Sequence, residues 1–254
     1  MFAGLKRKHP GSSVRHLLFY ELCRRISVLA LRVLYRPIVL NRERVPSEGS
    51  LILVANHQSY FDPPFIGGLA DQRHYDFIAK GGLFSNPSFG RMLAALNSIP
   101  ITENTGDRQA IQEALRRLGE DKAVLLFPEG SRSEDGTIGE FKRGAALMLK
   151  RAKCPIVPVA IEGVYDAFPR TRKLPRLFGA RIAVWYGEPI QPGADLGRRG
   201  PLDELRAIID TERLKLRAEL RRGTGGKFPP PGPGDAPSTS SERPVEEAEP
   251  AAQS

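Results

Sequence analysis

Five short apolar runs punctuate the chain: SLILVAN at residues 50–56, YDFIA at 75–79, AVLLF at 123–127, PIVPVAI at 155–161 and RIAVWYG at 181–187. Each is rich in branched or aromatic side chains and bounded by glycine, proline or polar residues, as expected of strands buried on both faces. Between them the pattern changes to helical spacing, over residues 88–96, over 107–118 with Asp107 as a candidate cap, and over 142–152. A last helical stretch, residues 202–221, carries Leu205, Ile208, Ile209, Leu216 and Leu220. Strands alternating with helices predict an α/β fold, a mixed and largely buried β-sheet flanked by helices.

The two ends of the chain differ from this body. From Leu22, apolar residues recur at Ile26, Leu29 and Val33, while Arg25, Arg32 and Arg36 form a second stripe. Val28, Leu31 and Leu34 fall on the remaining faces, so this helix offers more apolar surface than one packing contact needs. Two readings are open: a helix packed on the body with a solvated arginine edge, or an interfacial helix lying against anionic lipid. Arg24, Arg25, Arg32 and Arg36 keep the segment well short of the roughly 18 uncharged apolar residues of a spanning helix. Residues 223–254 hold seven prolines and five glycines, too little apolar surface to offset the entropy of ordering, and read as a disordered acidic tail. The expected division is a basic amphipathic, membrane-associating helical segment at residues 1–44, an α/β domain at 45–222 and the tail at 223–254.

Charge sharpens this picture. The formal net charge is +9, yet the tail contains only Lys227 and Arg243 against Asp235, Glu242, Glu246, Glu247 and Glu249, so the body is more basic than the whole. Residues 1–44 carry ten basic side chains against Glu21 and Glu43. Such a balance favours anionic partners. Nucleic acid is not the expected one, because the basic residues are not interleaved with aromatics, which make up only 7% of the chain. Charge alone does not choose between an anionic membrane surface and a phosphorylated substrate; with the N-terminal helix, the expected placement is peripheral, on the cytoplasmic face of a membrane. Cys23 and Cys154 lack metal-ligand spacing, and no metal is expected. Hydrolase signatures are absent too: there is no Gly-x-Ser-x-Gly elbow and no His-Glu-x-x-His site.

Polar residues that could carry chemistry collect where apolar runs end. In VANHQSYFDPP, His57 follows the first run, with Asp62 five residues on. Alone, that spacing is a weak signal. A second cluster, FPEGSRS, follows the third run and can present Glu129, Ser131 and Arg132 together, with Gly130 permitting an unusual backbone angle. The planar fork of an arginine suits phosphate, to which it donates two parallel hydrogen bonds.

NHQSYFD followed by FPEGSRS and then by CPIVPVAIEG, in that order, resembles the glycerolipid acyltransferase family, the bacterial 1-acylglycerol-3-phosphate acyltransferases in particular, over about residues 45–190. The resemblance implies transfer of a fatty acyl group from a thioester, acyl-CoA or acyl carrier protein, to the free hydroxyl of a lysolipid acceptor, with no further cofactor. It implies His57 as general base and Asp62 as the residue that orients it. By the same resemblance Glu129 contacts the acceptor glycerol, Gly130 lies in the acceptor site, and Arg132 and Lys80 face phosphate; a solvated strand end is the other reading of Lys80. One departure from the family pattern is Thr102 and Glu103 after SIPI, where an arginine is common and Arg108 is the nearest here. It leaves room for a different lysolipid acceptor, and a non-catalytic membrane-binding protein is the reading in which His57 would be dispensable.

Overall fold

The computed structural model describes residues 6–101, 106–191 and 199–238; a few side chains inside helices and strands, that of Lys80 among them, lie outside the description. Seven strands form one sheet in the order β1-β7-β6-β2-β5-β3-β4. They are β1 (Ile38–Leu40), β2 (Leu51–Ala55), β3 (Tyr75–Lys80), β4 (Ser98–Ile101), β5 (Ala123–Leu126), β6 (Ile156–Glu162) and β7 (Ala183–Tyr186). The helices are α1 (Val14–Tyr35), α2 (Asp62–Leu69), α3 (Pro87–Ala95), α4 (Gly106–Leu118), α5 (Arg143–Arg151), the single turn α6 (Val164–Ala167) and α7 (Arg199–Gly223). The fold is thus mixed α/β with a largely buried sheet, as the sequence predicts.

Strand β2 lies at the centre, paired in parallel with both β5 and β6. All five of its residues are buried, and their alternation divides the core into two layers. Leu51, Leu53 and Ala55 pack with Phe65, Ile66 and Leu69 of α2 and with Val28, Leu31 and Tyr35 of α1. Ile52 and Val54 point the other way, onto Ala114 of α4, Met148 and Leu149 of α5, and Leu205, Ile209 and Leu216 of α7.

Strand directions decide where connections emerge. Strands β2 to β6 run one way, β7 runs against β6, and β1 is parallel to β7. The beginnings of β1 and β7 therefore share one sheet edge with the C-terminal ends of the other five. That edge also receives the C-terminal end of α1 and the whole connection between β6 and β7.

Three elements settle points that the sequence left open or misread. Helix α1 begins at Val14, where the Ser13 side chain accepts from the His16 N–H at 3.3 Å, and it packs through Leu17, Tyr20, Val28, Leu31 and Tyr35. The stripe of Leu22, Ile26, Leu29 and Val33 is left 58–68% exposed. Asp62 opens α2, because Pro63 and Pro64 have φ preset for a first turn and need no N–H there.

The third corrects the expected disordered tail over residues 224–238. Residues 224–238 fold back over the molecule: Phe228 is 1% exposed in the layer beneath β6, and Arg213, Arg217 and Arg221 of α7 grip this strap. Arg217 Nε donates to Asp235 Oδ1 at 2.7 Å and its Nη2 to the Pro230 carbonyl at 3.0 Å; Arg213 donates to the Gly234 and Ala236 carbonyls at 2.7 and 3.1 Å. A proline-rich strand has few N–H groups to satisfy, so arginine forks on its carbonyls together with one buried aromatic hold it down. Residues 239–254 lie outside the described set.

Candidate active site

The loop after β2 is fastened before it offers a reactive group. Asn56 spans to β6, donating to the Ile161 carbonyl and accepting from its N–H, each at 2.9 Å. His57 then projects over β5, its ring stacked on Phe127 with centroids 4.0 Å apart. Its Nδ1 lies 2.7 Å from Asp62 Oδ2, which also accepts from the Gln58 and Ser59 N–H groups at 2.6 and 2.8 Å. With Nδ1 facing a carboxylate oxygen, the ring proton belongs there and Nε2 keeps its lone pair. Burial pushes the Asp62 carboxyl above its usual range, and the His57 ring and the two N–H groups oppose that rise.

The FPEGSRS turn is laced to the same loop. Glu129, only 5% exposed, accepts from the His57 N–H at 2.7 Å through one oxygen and from the Gly139 N–H at 2.8 Å through the other. The Ser133 N–H donates to the His57 carbonyl at 2.7 Å. Both backbone groups of His57 are therefore held by the second motif. Burial raises Glu129 to about 7, against the pull of the Gly139 and His57 N–H groups. Both Glu129 oxygens thus face backbone donors, and the side chain clamps the loop carrying His57. Gly130 has φ +67°, and a side chain there would run into Lys142.

Arg132 is half-buried, with its guanidinium 3.6 Å from the centroid of the exposed Tyr60 ring. Among the described residues it has no carboxylate partner, so its hydrogen-bonding edge remains available to an anion while its face rests on the ring. Lys80 ends β3 opposite Ile101 of β4, on the same sheet edge as His57; its side chain, and Thr102 and Glu103, lie outside the described residues. Arg108 is exposed in the first turn of α4.

Several contributors went unread in the sequence. Gln58 donates to Glu162 Oε2 at 3.1 Å and accepts from the Tyr165 N–H at 3.2 Å, and the fully buried Glu162 is paired with Arg213 and Arg217. The signal was present as a glutamate closing an apolar strand and arginines four apart on α7. No serine or cysteine side chain among the described residues is hydrogen-bonded to His57, and burial pushes the Cys154 thiol up to about 11. The arrangement brings together an imidazole, the carboxylate that orients it and an arginine open to an anion, and the described residues offer no activated protein nucleophile.

Comparison with known proteins identifies the family. Residues 36–162, half of the chain, match the profile of the family described as Acyltransferase. The 1-acyl-sn-glycerol-3-phosphate acyltransferase of Streptococcus pneumoniae is 29% identical over 195 residues, covering 75% of this chain and 70% of that one. That of Bacillus subtilis is 27% identical over 200 residues, covering 78% and 94%. The crystal structure of the 1-acyl-sn-glycerophosphate acyltransferase of Thermotoga maritima superposes with a TM-score of 0.66 at 25% identity, over 78% of this chain and 80% of that one. With the family profile matched across the segment that holds both motifs, the chain belongs to the acyltransferase family.

Proposed function

We propose that the protein moves a fatty acyl group from a thioester donor to the free hydroxyl of a lysolipid, with 1-acylglycerol 3-phosphate as acceptor and phosphatidic acid as product. The observation that carries this reading is the juxtaposition of His57, oriented by Asp62, with the anion-ready guanidinium of Arg132, one residue from the Ser133 N–H that binds the His57 carbonyl. The likeness to relatives named for that reaction supports the same acceptor.

In this scheme the acceptor hydroxyl gives its proton to His57 Nε2 while its oxygen attacks the thioester carbonyl. The tetrahedral intermediate collapses, the carbon–sulfur bond breaks, and the proton on His57 passes to the departing thiolate. A thiol of pKa about 8.5 leaves with little assistance, so the base matters most in the attack. Asp62 holds the ring in the tautomer with Nε2 unprotonated and stabilises the imidazolium that forms. Arg132 fixes the acceptor phosphate, and Tyr60 supports the guanidinium from behind. Acyl-CoA and acyl carrier protein both fit as donor, and no other cofactor enters the scheme.

The acceptor is a lipid, and α1 offers a surface on which to meet it: Leu18, Leu22, Ile26, Leu29 and Val33 are exposed beside Arg25 and Arg32. No helix among the described residues is long and apolar enough to cross a membrane. A peripheral enzyme on the cytoplasmic face of an anionic membrane accounts for both features.

The deciding experiment incubates purified protein with either thioester and with acylglycerol acceptors bearing or lacking the 3-phosphate, reading products by mass spectrometry. Phosphatidic acid formation favoured by the phosphate is expected. Equal rates with and without phosphate would point to another lysolipid, and no transfer to any acceptor would favour a non-catalytic membrane-binding role.

A further inference from the structure

The connection between β6 and β7 is an exposed loop that the chemistry above does not use, and it lies outside the matched segment, residues 36–162. Its two roots are fixed. Phe168 packs on Phe61 with ring centroids 5.0 Å apart and accepts from Ser59 Oγ at 2.8 Å; the Arg176 N–H returns to the Ala167 carbonyl at 2.8 Å, and Ala180 and Ile182 are buried. Between the roots nearly everything faces solvent. Leu174 and Phe178, each 76% exposed, carry the highest exposures among the large apolar side chains described, and Leu177 is 45% exposed. Interleaved with them are Arg170, which pairs with Glu134 at 2.8 Å, and Arg172, Lys173 and Arg176, and residues 167–187 contain no carboxylate side chain. An apolar tip with a basic collar is costly in water and complementary to an anionic bilayer, where the side chains insert and the cations remain among the headgroups.

Position supports the same occupant. Because β7 runs against β6, the loop stays on the sheet edge that carries His57. The C-terminal end of α1 reaches that edge too, and Phe61, from the His57 loop, touches both Tyr35 of α1 and Phe168. We propose that the 169–179 loop is a second membrane contact, inserting Leu174, Leu177 and Phe178 into an anionic lipid surface, so that the loop and α1 flank the site where the lipid acceptor enters. The proposal builds on the membrane reading given above, yet lipid binding is measured independently of turnover, so either can fail alone.

The test uses the full chain and vesicles of phosphatidylethanolamine with about one-third phosphatidylglycerol, whose anionic headgroups give the surface a negative potential. Leu174→Ser/Phe178→Ser should weaken vesicle affinity about tenfold or more, since two large side chains no longer leave water. Its melting temperature and its turnover on a short-chain, dispersed acceptor should stay unchanged, because both positions are exposed and outside the site. Phe178→Trp should show a blue-shifted emission increment over wild type when vesicles are added. Leu22→Ser/Ile26→Ser on α1 is the companion variant. Loss of binding in the α1 variant with unchanged binding in the loop variant, or a Phe178→Trp spectrum indifferent to vesicles, would overturn the loop proposal and leave α1 as the contact. Unchanged binding in both variants would overturn the membrane reading as well. A loop variant that binds vesicles normally but has a raised KM for an acyl carrier protein donor would refute lipid insertion and assign the loop to that acidic protein.

Discussion

Replacing His57 by alanine and replacing Arg132 by alanine should damage different kinetic constants. His57→Ala removes the base, and kcat should fall about 10²- to 10⁴-fold, while stability drops by about 1 to 3 kcal/mol for the lost stacking on Phe127 and the hydrogen bond withdrawn from the buried Asp62. Arg132→Ala should leave kcat nearly intact and raise the acceptor KM about ten- to a hundredfold, the value of a charge-assisted contact. Steady-state kinetics on a phosphate-bearing acceptor separate the two, and a fall in kcat alone for Arg132→Ala would refute its binding role. The buried Glu129 carboxyl makes stability depend on pH. Its pKa rises from 4.5 to about 7 on folding, so the native state binds the extra proton, and stability from this group is complete below about pH 4.5 and lost as pH climbs through about 7, by about 3 kcal/mol in all. Melts of wild type and Glu129→Gln should therefore converge or cross as pH rises from about 4.5 to about 7; parallel curves would show that Glu129 does not titrate in that window. Nothing in PEG announces a buried clamp, because its partners, the His57 and Gly139 N–H groups, come from loops 72 and 10 residues away.

At the scale of elements, period and composition disclose strands and helices but not their partners. The five apolar runs all became strands, whereas β1 is only three residues long and β4 offers only Ile99 and Ile101 around Pro100, too little for a strand pattern to register. Helix α1 has apolar residues on more than one face, so periodicity alone left the packed face undecided; tertiary contact chose Leu17, Tyr20, Val28, Leu31 and Tyr35. The strap at 224–238 was misjudged because low apolar content was averaged over the whole tail, while a single phenylalanine and three arginines from α7 do the anchoring. Phe228→Ala should accordingly cost about 3 to 5 kcal/mol, and truncation after Gly223 should lower the melting temperature by several degrees at least. Unchanged melting of both variants would mean the strap is not docked in solution.

For the whole molecule, the relevant quantity is how a net charge of +9 combines with apolar side chains exposed on α1 and on the 169–179 loop. Attraction between exposed charges and anionic lipid is screened over about 10 Å at about 0.1 M salt, whereas apolar insertion is not screened. Vesicle binding should therefore fall steeply as salt rises and level off at a residual affinity that the α1 and loop serines remove. Sedimentation with vesicles across a salt series checks this, and binding abolished entirely by salt would show that charge acts without insertion.

The sequence by itself determined the class of fold, because buried strands and amphipathic helices leave distinct periods, and it singled out His57, Asp62 and Arg132, because short motifs keep their chemistry local to a few residues. Only the tertiary structure decided which face of α1 is covered, that Glu129 holds the His57 backbone, and that a proline-rich strap belongs to the core. Each of those outcomes depends on groups far apart in the chain being brought within hydrogen-bonding or packing distance, and the free energy of such contacts belongs to the pair and not to either segment.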